Sequence, residues 1–337
     1  MNPRVSIVLP FRNEERFLED SLKTILEQSI GEWELHAIDD HSTDRSASIL
    51  RDAAAADRRI KLASNPGRGL VAALQHGFAR ARAPLVARMD ADDLMTPDRL
   101  EVQTRALAEY PETALVASRV RIFPRNLLGT GYREYERWQN AIITPEQIGF
   151  EIFHESPFTH PTVMFRREMF NAIGGYRDGA FPEDYELWLR IYAQGLEMRK
   201  CEEVLLHWRE RPDRTSRIDP RYSREAFDLL RARHLARDPR ITGSRPLVIW
   251  GAGRRTRQRA RHFLELSPPI ESWIDVDPRK IGREAGGIPV HAPEWLASRK
   301  PRPFVLVYVR NYGARELIAP RLASMGYEPI QDWIPVG

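Results

Sequence analysis

The chain is 337 residues long, about twice a usual domain, so two domains are expected. Hydrophobic residues make up 42%, charged residues 29%, and the net charge is +4, a soluble globular mix without the roughly 18-residue apolar run of a membrane-spanning helix. Cys201 is the single cysteine, which removes a disulfide framework and a thiolate metal site from consideration.

The first residues pass straight into a strand-like run with no signal-peptide pattern, so a cytoplasmic location is expected. Of the 51 basic residues 46 are arginine. Compositional bias accounts for that excess; arginine forks also suit phosphate recognition. Long basic blocks with interleaved aromatics are absent, so no nucleic-acid partner is expected.

Short apolar runs alternate with amphipathic stretches through the first half, the pattern of an α/β domain. Val5 to Pro10 reads as a buried strand, followed by a helix with Phe17, Leu18, Ser21, Leu22, Ile25 and Leu26 on one face. Glu34 to Asp39 is a second strand and Ser42 to Ala55 a second helix. Arg59 to Ala63 and Leu70 to Arg82 repeat the unit, and Leu85 to Met89 is a fourth strand ending in Asp90-Ala91-Asp92-Asp93. Residues 119–155 lack periodicity and read as a long loop over the sheet edge. Pro161 to Arg166 resumes as a strand, Gly174-Gly175 turns, and Glu183 to Gln194 is helical. Residues 211–245 read as a helical connector with one helix from Tyr222 to Leu235. From Pro246 the βαβ pattern restarts and yields a smaller α/β unit at 246–337.

Carboxylates stand just past strand ends at Asp39-Asp40 and at Asp90 to Asp93, the edge where open parallel sheets bind ligands. Glu183-Asp184 opens a helix. Such acids can hold a hard divalent cation or take a proton from an attacking hydroxyl. Capping of orphan helix N–H groups is an equal reading for Asp92, Asp93 or Glu183 taken singly.

Six segments in order resemble family 2 glycosyltransferases, inverting enzymes of the GT-A fold. They are Val5 to Glu14, Ile38 to Asp44, Ala87 to Asp93, His160 to Arg166, Gly174-Gly175-Tyr176 and Glu183 to Arg190. The resemblance covers about residues 3–210 and implies a GT-A domain at 1–210 with a nucleotide-binding mixed sheet flanked by helices. It implies Pro10, Arg12, Glu14, Asp39, Arg68 and Asp90 around a nucleotide-sugar, with Asp39 facing uracil or thymine. Asp92 would ligate Mg2+ or Mn2+. Asp184 would be the general base, with Glu183 orienting the acceptor or sharing that role. The implied reaction is inverting transfer from a UDP- or dTDP-sugar to a glycan or lipid-linked acceptor in polysaccharide biosynthesis. Peripheral association with the inner membrane face and homo-oligomerisation both stay open.

Three departures from the family pattern stand out. Gln75 occupies the place of a common Asn. Arg211 falls near the place of a metal-binding His, and His207 lies four residues early. His160 reads first as a packed core histidine and Trp188 as core. Tyr132, Tyr135 and Trp138 are candidates for stacking on a sugar.

In the second unit, Gly251-Ala252-Gly253 is half of a dinucleotide fingerprint, with Thr256 where the third glycine would stand. Asp275 closes the next strand at the ribose-binding position. Gly251, Gly253, Arg254 and Asp275 thus form a candidate second phosphate or nucleotide site on a Rossmann-like domain, with a scaffold role as its equal. Two other readings compete with transfer: a non-catalytic nucleotide-sugar-binding protein, and an NAD-dependent oxidoreductase using the C-terminal unit.

Overall fold

The structure is a computed structural model that describes residues 2–311 and 313–337. The chain divides into two compact units: residues 1–148 with 157–219, and residues 149–156 with 220–337. The segment expected as a connector therefore splits at residue 219, and the helix Arg224–Leu235 belongs to the second unit.

In the first unit the strands are β1 (Val5–Phe11), β2 (Trp33–Asp39), β3 (Ile60–Ser64), β4 (Leu85–Arg88), β5 (Leu94–Met95), β6 (Thr113–Phe123), β7 (Met164–Arg166) and β8 (Glu197–Arg209). They form one mixed sheet in the order β3-β2-β1-β4-β7-β6-β8-β5. Every residue of β1 is buried, as expected of a central strand covered on both faces. β1 runs parallel to β2 with Phe11 opposite Asp39, and parallel to β4 with Val8 opposite Arg88. The helix Leu70–Arg80 packs close to β1 because residue 77 is glycine; a Cβ there would lie 2.4 Å from Val8 Cγ1.

The chain moves outward from β1 through β2 to β3 and then returns to β1's other side as β4. This reversal falls between β1 and β4, whose carboxyl ends are the general ligand position in such sheets.

The expected loop at 119–155 is instead the end of β6, a helix at Thr130–Ala141 and a helix at Pro145–Glu151. The helix Thr130–Ala141 attaches through polar groups as well as through Tyr132, which packs against the core. Asn140 accepts the Val120 N–H at 2.9 Å and donates to the Val120 carbonyl at 2.8 Å, pairing with β6 as a strand would. Glu136 accepts the Ile122 N–H at 3.0 Å.

The second unit holds β9 (Leu247–Trp250), β10 (Ile270–Ile274), β11 (Glu284–Ala285), β12 (Ile288–His291), β13 (Phe304–Val307) and β14 (Trp333–Pro335). Their order is β11-β12-β10-β9-β13-β14, parallel throughout except for the β11–β12 pair. Val248, Trp250, Ile274, Val305 and Tyr327 form its core. Among the described residues, no helix is long and apolar enough to cross a membrane.

Candidate active site

The carboxyl ends of β1, β2 and β4 place three groups of acids along one edge. After β1 the chain turns through Asn13 in the left-handed region (φ 56°), held by Thr43 N–H donating to Asn13 Oδ1 at 2.7 Å. Pro10 is buried in β1, Arg12 is exposed beyond it, and Glu14 is half-buried. At the end of β2, Asp39 Oδ1 accepts the Ser42 N–H at 2.9 Å, and Oδ2 has no protein partner among the described residues. Its neighbour Asp40 is buried and spent on structure, accepting from Asn65 Nδ2 at 2.7 Å and from the Gly69 N–H at 2.9 Å. These bonds fix the turn that carries Arg68, which is exposed.

Past β4, ligand atoms of Asp90, Asp92 and Asp93 all lie within 4.8 Å of one another. Three carboxylates at that spacing repel, and the protein answers with arginines. Arg88, almost fully buried, pairs with Asp90. Burial works to raise the Asp90 carboxyl, but the Arg88 charge holds it below the usual range. Burial and the Asp90 charge push Asp92 up. Asp93 is pushed furthest, by burial and then by Asp92 and Asp90. Asp93 Oδ1 accepts the Arg209 N–H at 2.7 Å, while its buried Oδ2 has no hydrogen-bond partner. A cluster of hard oxygen donors with one buried oxygen unpaired fits a divalent cation.

Arg211, from the loop after β8, reaches back over this cluster. It donates to both oxygens of Glu14, at 2.8 Å from Nη1 to Oε2, and its Nε stands 3.2 Å from Asp92 Oδ2. Burial pushes the Glu14 carboxyl up to about 7 against the pull of Arg211, with the Asp92 and Asp90 charges adding to the rise.

A fourth group lies at the start of the helix Glu183–Ala193, which begins after Pro182. A helix N-terminus favours carboxylates, yet here burial wins. Glu183 is 1% exposed. Burial and the Glu183 charge together push Asp184 up to about 7. His160 stands between Glu183 and Tyr176: its Nδ1 lies 3.5 Å from Glu183 Oε1 and its Nε2 is 2.7 Å from Tyr176 Oη. Burial and then the Arg88 charge lower the His160 pKa, which keeps the ring neutral. Further along this helix Glu186 and Arg190 pair with each other, and Arg190 Nη2 donates to the Gly175 carbonyl at 2.6 Å. Trp188 is fully buried against Phe158, Phe165 and His160.

The structure thus joins Glu14 and Asp92 through Arg211 and sets Arg88 where its charge acts on both Asp90 and Asp184, with Pro10, Arg12 and Asp39 at the ends of β1 and β2. His207 lies in β8 opposite Leu94 with its ring 6.2 Å from that of Phe123, and it is outside the aspartate cluster. Gln75 donates to the Tyr176 carbonyl at 3.0 Å. Sequence reasoning gave no role to Arg88 or Tyr176 and saw in Arg211 only a missing histidine. The signal for Arg88 was a charged residue inside an otherwise apolar strand.

Gly251, Gly253, Arg254 and Asp275 belong to the second unit. Gly251 (φ 116°) is confined: a Cβ there would lie 2.9 Å from Val309 Cγ2. Asp275 Oδ2 accepts from the Ala252 N–H at 2.8 Å and from Lys280 Nζ at 3.0 Å, and Oδ1 accepts the Asp277 N–H at 2.9 Å. Arg254 is exposed at the first turn of the helix Arg254–Leu266.

With this geometry in hand, comparison with known proteins gives a consistent result. The profile of glycosyl transferase family 2 matches residues 6–174. The putative glycosyltransferase EpsE of Bacillus subtilis is 34% identical over 66% of this chain and 78% of its own length. An Escherichia coli UDP-Gal:alpha-D-GlcNAc-diphosphoundecaprenol beta-1,3-galactosyltransferase is 26% identical over 61% of this chain and 74% of its own. Among solved structures, S. aureus TarS residues 1–349 in complex with UDP-GlcNAc superposes with TM-score 0.53 at 15% identity. That superposition covers 70% of this chain and 67% of TarS 1–349, and it supports the fold.

Proposed function

The chain belongs to glycosyl transferase family 2 and is a glycosyltransferase, and from that premise we propose that it transfers a sugar from UDP or dTDP to a hydroxyl of a glycan or lipid-linked acceptor with inversion. The observation that supports this reading is the cluster of Asp90, Asp92 and Asp93 beside Arg88, whose charge also acts on the Asp184 carboxyl.

Asp184 is the general base. Its carboxyl, pushed up to about 7, has more proton affinity than an ordinary aspartate and still ionises near neutral pH, which suits removal of a hydroxyl proton. The acceptor oxygen forms a bond to the anomeric carbon while its proton passes to Asp184. The bond from that carbon to the diphosphate breaks, and its electron pair leaves with the diphosphate. Glu183, steadied by His160, orients the acceptor hydroxyl. Asp39 Oδ2 is open to the N3–H of uracil or thymine. Pro10, Arg12 and Glu14 line the nucleotide side, and Arg68 approaches from its turn.

Asp92, with Asp90 and Asp93 beside it, would hold Mg2+ or Mn2+, which would offset charge developing on the departing diphosphate. Of the stacking candidates Tyr132, Tyr135 and Trp138, the last two, with rings 5.9 Å apart, form the acceptor platform, while Tyr132 packs against the core beneath Arg217. A lipid-linked acceptor, as in the name of the galactosyltransferase relative, would place the protein at the cytoplasmic face of a membrane. For the second unit the scaffold reading is favoured, because both Asp275 oxygens are committed to protein groups.

The test is calorimetric titration of UDP, dTDP, GDP and NAD+ into the full chain with and without Mn2+. Mn2+-dependent binding of UDP or dTDP that is lost in Asp92→Ala is the expected result. Binding of NAD+ alone, or nucleotide binding indifferent to both Mn2+ and Asp92, would overturn the donor and metal assignments.

A further inference from the structure

Arg211 occupies an unusual place for a guanidinium. It comes from the loop after β8, yet its side chain closes over the aspartates that follow β4, holding Glu14 with two hydrogen bonds and setting its Nε, which makes no hydrogen bond, 3.2 Å from Asp92 Oδ2 as an ion pair. Asp213, largely exposed, adds a weaker contact at 3.6 Å. Two of these carboxylates, Glu14 and Asp92, are themselves largely buried, at 12% and 13% side-chain exposure.

The loop carrying Arg211 is pinned independently of it. The Arg209 guanidinium is 4.4 Å from the Phe17 ring centroid and 4.5 Å from that of Phe123. Arg214 lies 3.8 Å over Trp208, and Arg217 5.0 Å over Tyr132. Glu210, buried, pairs with both Arg214 and Arg217. Such cation–π contacts and buried pairs hold a backbone in one course. Arg211 is therefore a charge delivered by a fixed loop, and its removal leaves the loop's other anchors intact.

We propose that Arg211 is a resident counter-cation that competes with a divalent ion for Asp92 and thereby couples metal uptake to donor uptake. This rests on the assignment of Asp92 as the metal-holding carboxylate. An oxygen of Asp92 engaged by the guanidinium is less available to a metal, so Arg211 weakens metal binding while no donor is present. A nucleoside diphosphate arriving beside Asp92 offers the same guanidinium a stronger anionic partner, for which the arginine fork is suited. Arg211 then turns to the phosphates and releases Asp92. Metal and donor consequently strengthen each other, and by linkage the factor is the same from either side.

The test is calorimetric Mn2+ titration of the full chain, with and without saturating UDP, for the wild type, Arg211→Gln, Arg211→Lys and Asp92→Asn. Without UDP, Arg211→Gln is expected to bind Mn2+ more tightly than the wild type by about tenfold. The ratio of Mn2+ affinities with and without UDP should shrink in the same variant. Arg211→Lys keeps the charge but loses the two-pronged grip on Glu14, and should fall between the two. Mn2+ affinity in Arg211→Gln within twofold of the wild type, with Asp92→Asn abolishing binding, would overturn the proposal while sparing the metal site. Mn2+ binding unaffected by Asp92→Asn would overturn the metal assignment itself and this proposal with it. Equal melting temperatures for Arg211→Gln and the wild type verify that a change in affinity is not a change in folding.

Discussion

The two sheets meet ligands, or fail to, at the same topological place. Each has its first strand in the interior, a parallel neighbour on either side, and an aspartate closing the second strand: Asp39 after β1 and β2, Asp275 after β9 and β10. In the first unit Asp39 gives one oxygen to the Ser42 N–H and keeps the other. In the second unit Asp275 gives both, to the Ala252 and Asp277 N–H groups and to Lys280. An acid at a strand end is thus no evidence of a ligand until its lone pairs are counted. The contrast extends to charge. In Asp90, Asp92, Asp93 and Asp184 the first unit accumulates carboxylates whose pKa values diverge under burial and neighbouring charges. Such divergence marks acids placed for chemistry. Asp275 is instead paired with a lysine and backbone donors, the environment of a structural brace.

The sharpest break of this contrast is Asp184→Asn. If the first unit's acids are functional, the variant keeps its donor affinity within about twofold and loses about 10²–10⁴ in kcat, the usual worth of a general base. Single-turnover kinetics with calorimetry of the donor would measure both. Stability should move the other way. The folded protein raises the Asp184 pKa to about 7 from an ordinary value near 4. The folded state therefore holds a proton that the unfolded state has lost, and stability falls as pH rises from about 4 to about 7. Above pH 7 the full cost is present, so Asp184→Asn should melt higher than the wild type at pH 8. Near-normal turnover, or a lower melting temperature at pH 8, would remove Asp184 from the role of base.

The pH profile of the wild type sharpens the same point with a smaller effect. Only the ionised carboxylate accepts a proton, so kcat should fall about tenfold per unit as pH drops below about 7. Rates flat between pH 5 and 8 would mean that the base titrates elsewhere.

What was legible in the sequence follows from what kind of force builds each part. The strands from Val5 to Arg88 and their helices bury apolar stripes, so periodicity reveals them, and the acids stand where those strands end. The helix Thr130–Ala141 has Gln139 as its buried residue and attaches through Asn140 and Glu136 to backbone groups of β6. Side-chain amides replacing a neighbouring strand leave no hydrophobic signal. The 13-residue strand β8 was missed for a related reason: its sequence mixes Glu, Arg and Lys with apolar residues, and its place beside β6 is a long-range fact. The same holds for the site. Glu14, Asp92 and Arg211 are brought together from β1's end, β4's end and β8's end, and nothing in local spacing announces that Arg211 reaches 197 residues back to Glu14. His160 reads as a core histidine, and it is one, yet its second nitrogen faces Glu183.

The paired strand-end aspartates give the smallest effects and the most direct test of the comparison. Asp39→Asn keeps an oxygen for the Ser42 N–H but turns the open oxygen into a donor facing another donor, the N3–H of the base. UDP affinity should weaken about tenfold, one charged hydrogen bond's net worth, with the melting temperature unchanged. Asp275→Asn has no such choice. Its two oxygens serve two backbone N–H groups and Lys280, so whichever way the amide turns, a buried donor loses its acceptor. That should destabilise the second unit by about 1–3 kcal/mol, read as a shift in the urea midpoint, with UDP affinity and turnover unchanged. The crossed result, stability untouched and a nucleotide affinity lost, would make Asp275 a ligand residue. The committed lone pairs would then describe only the unliganded loop, and the two sheet edges would be two binding sites rather than a site and a brace.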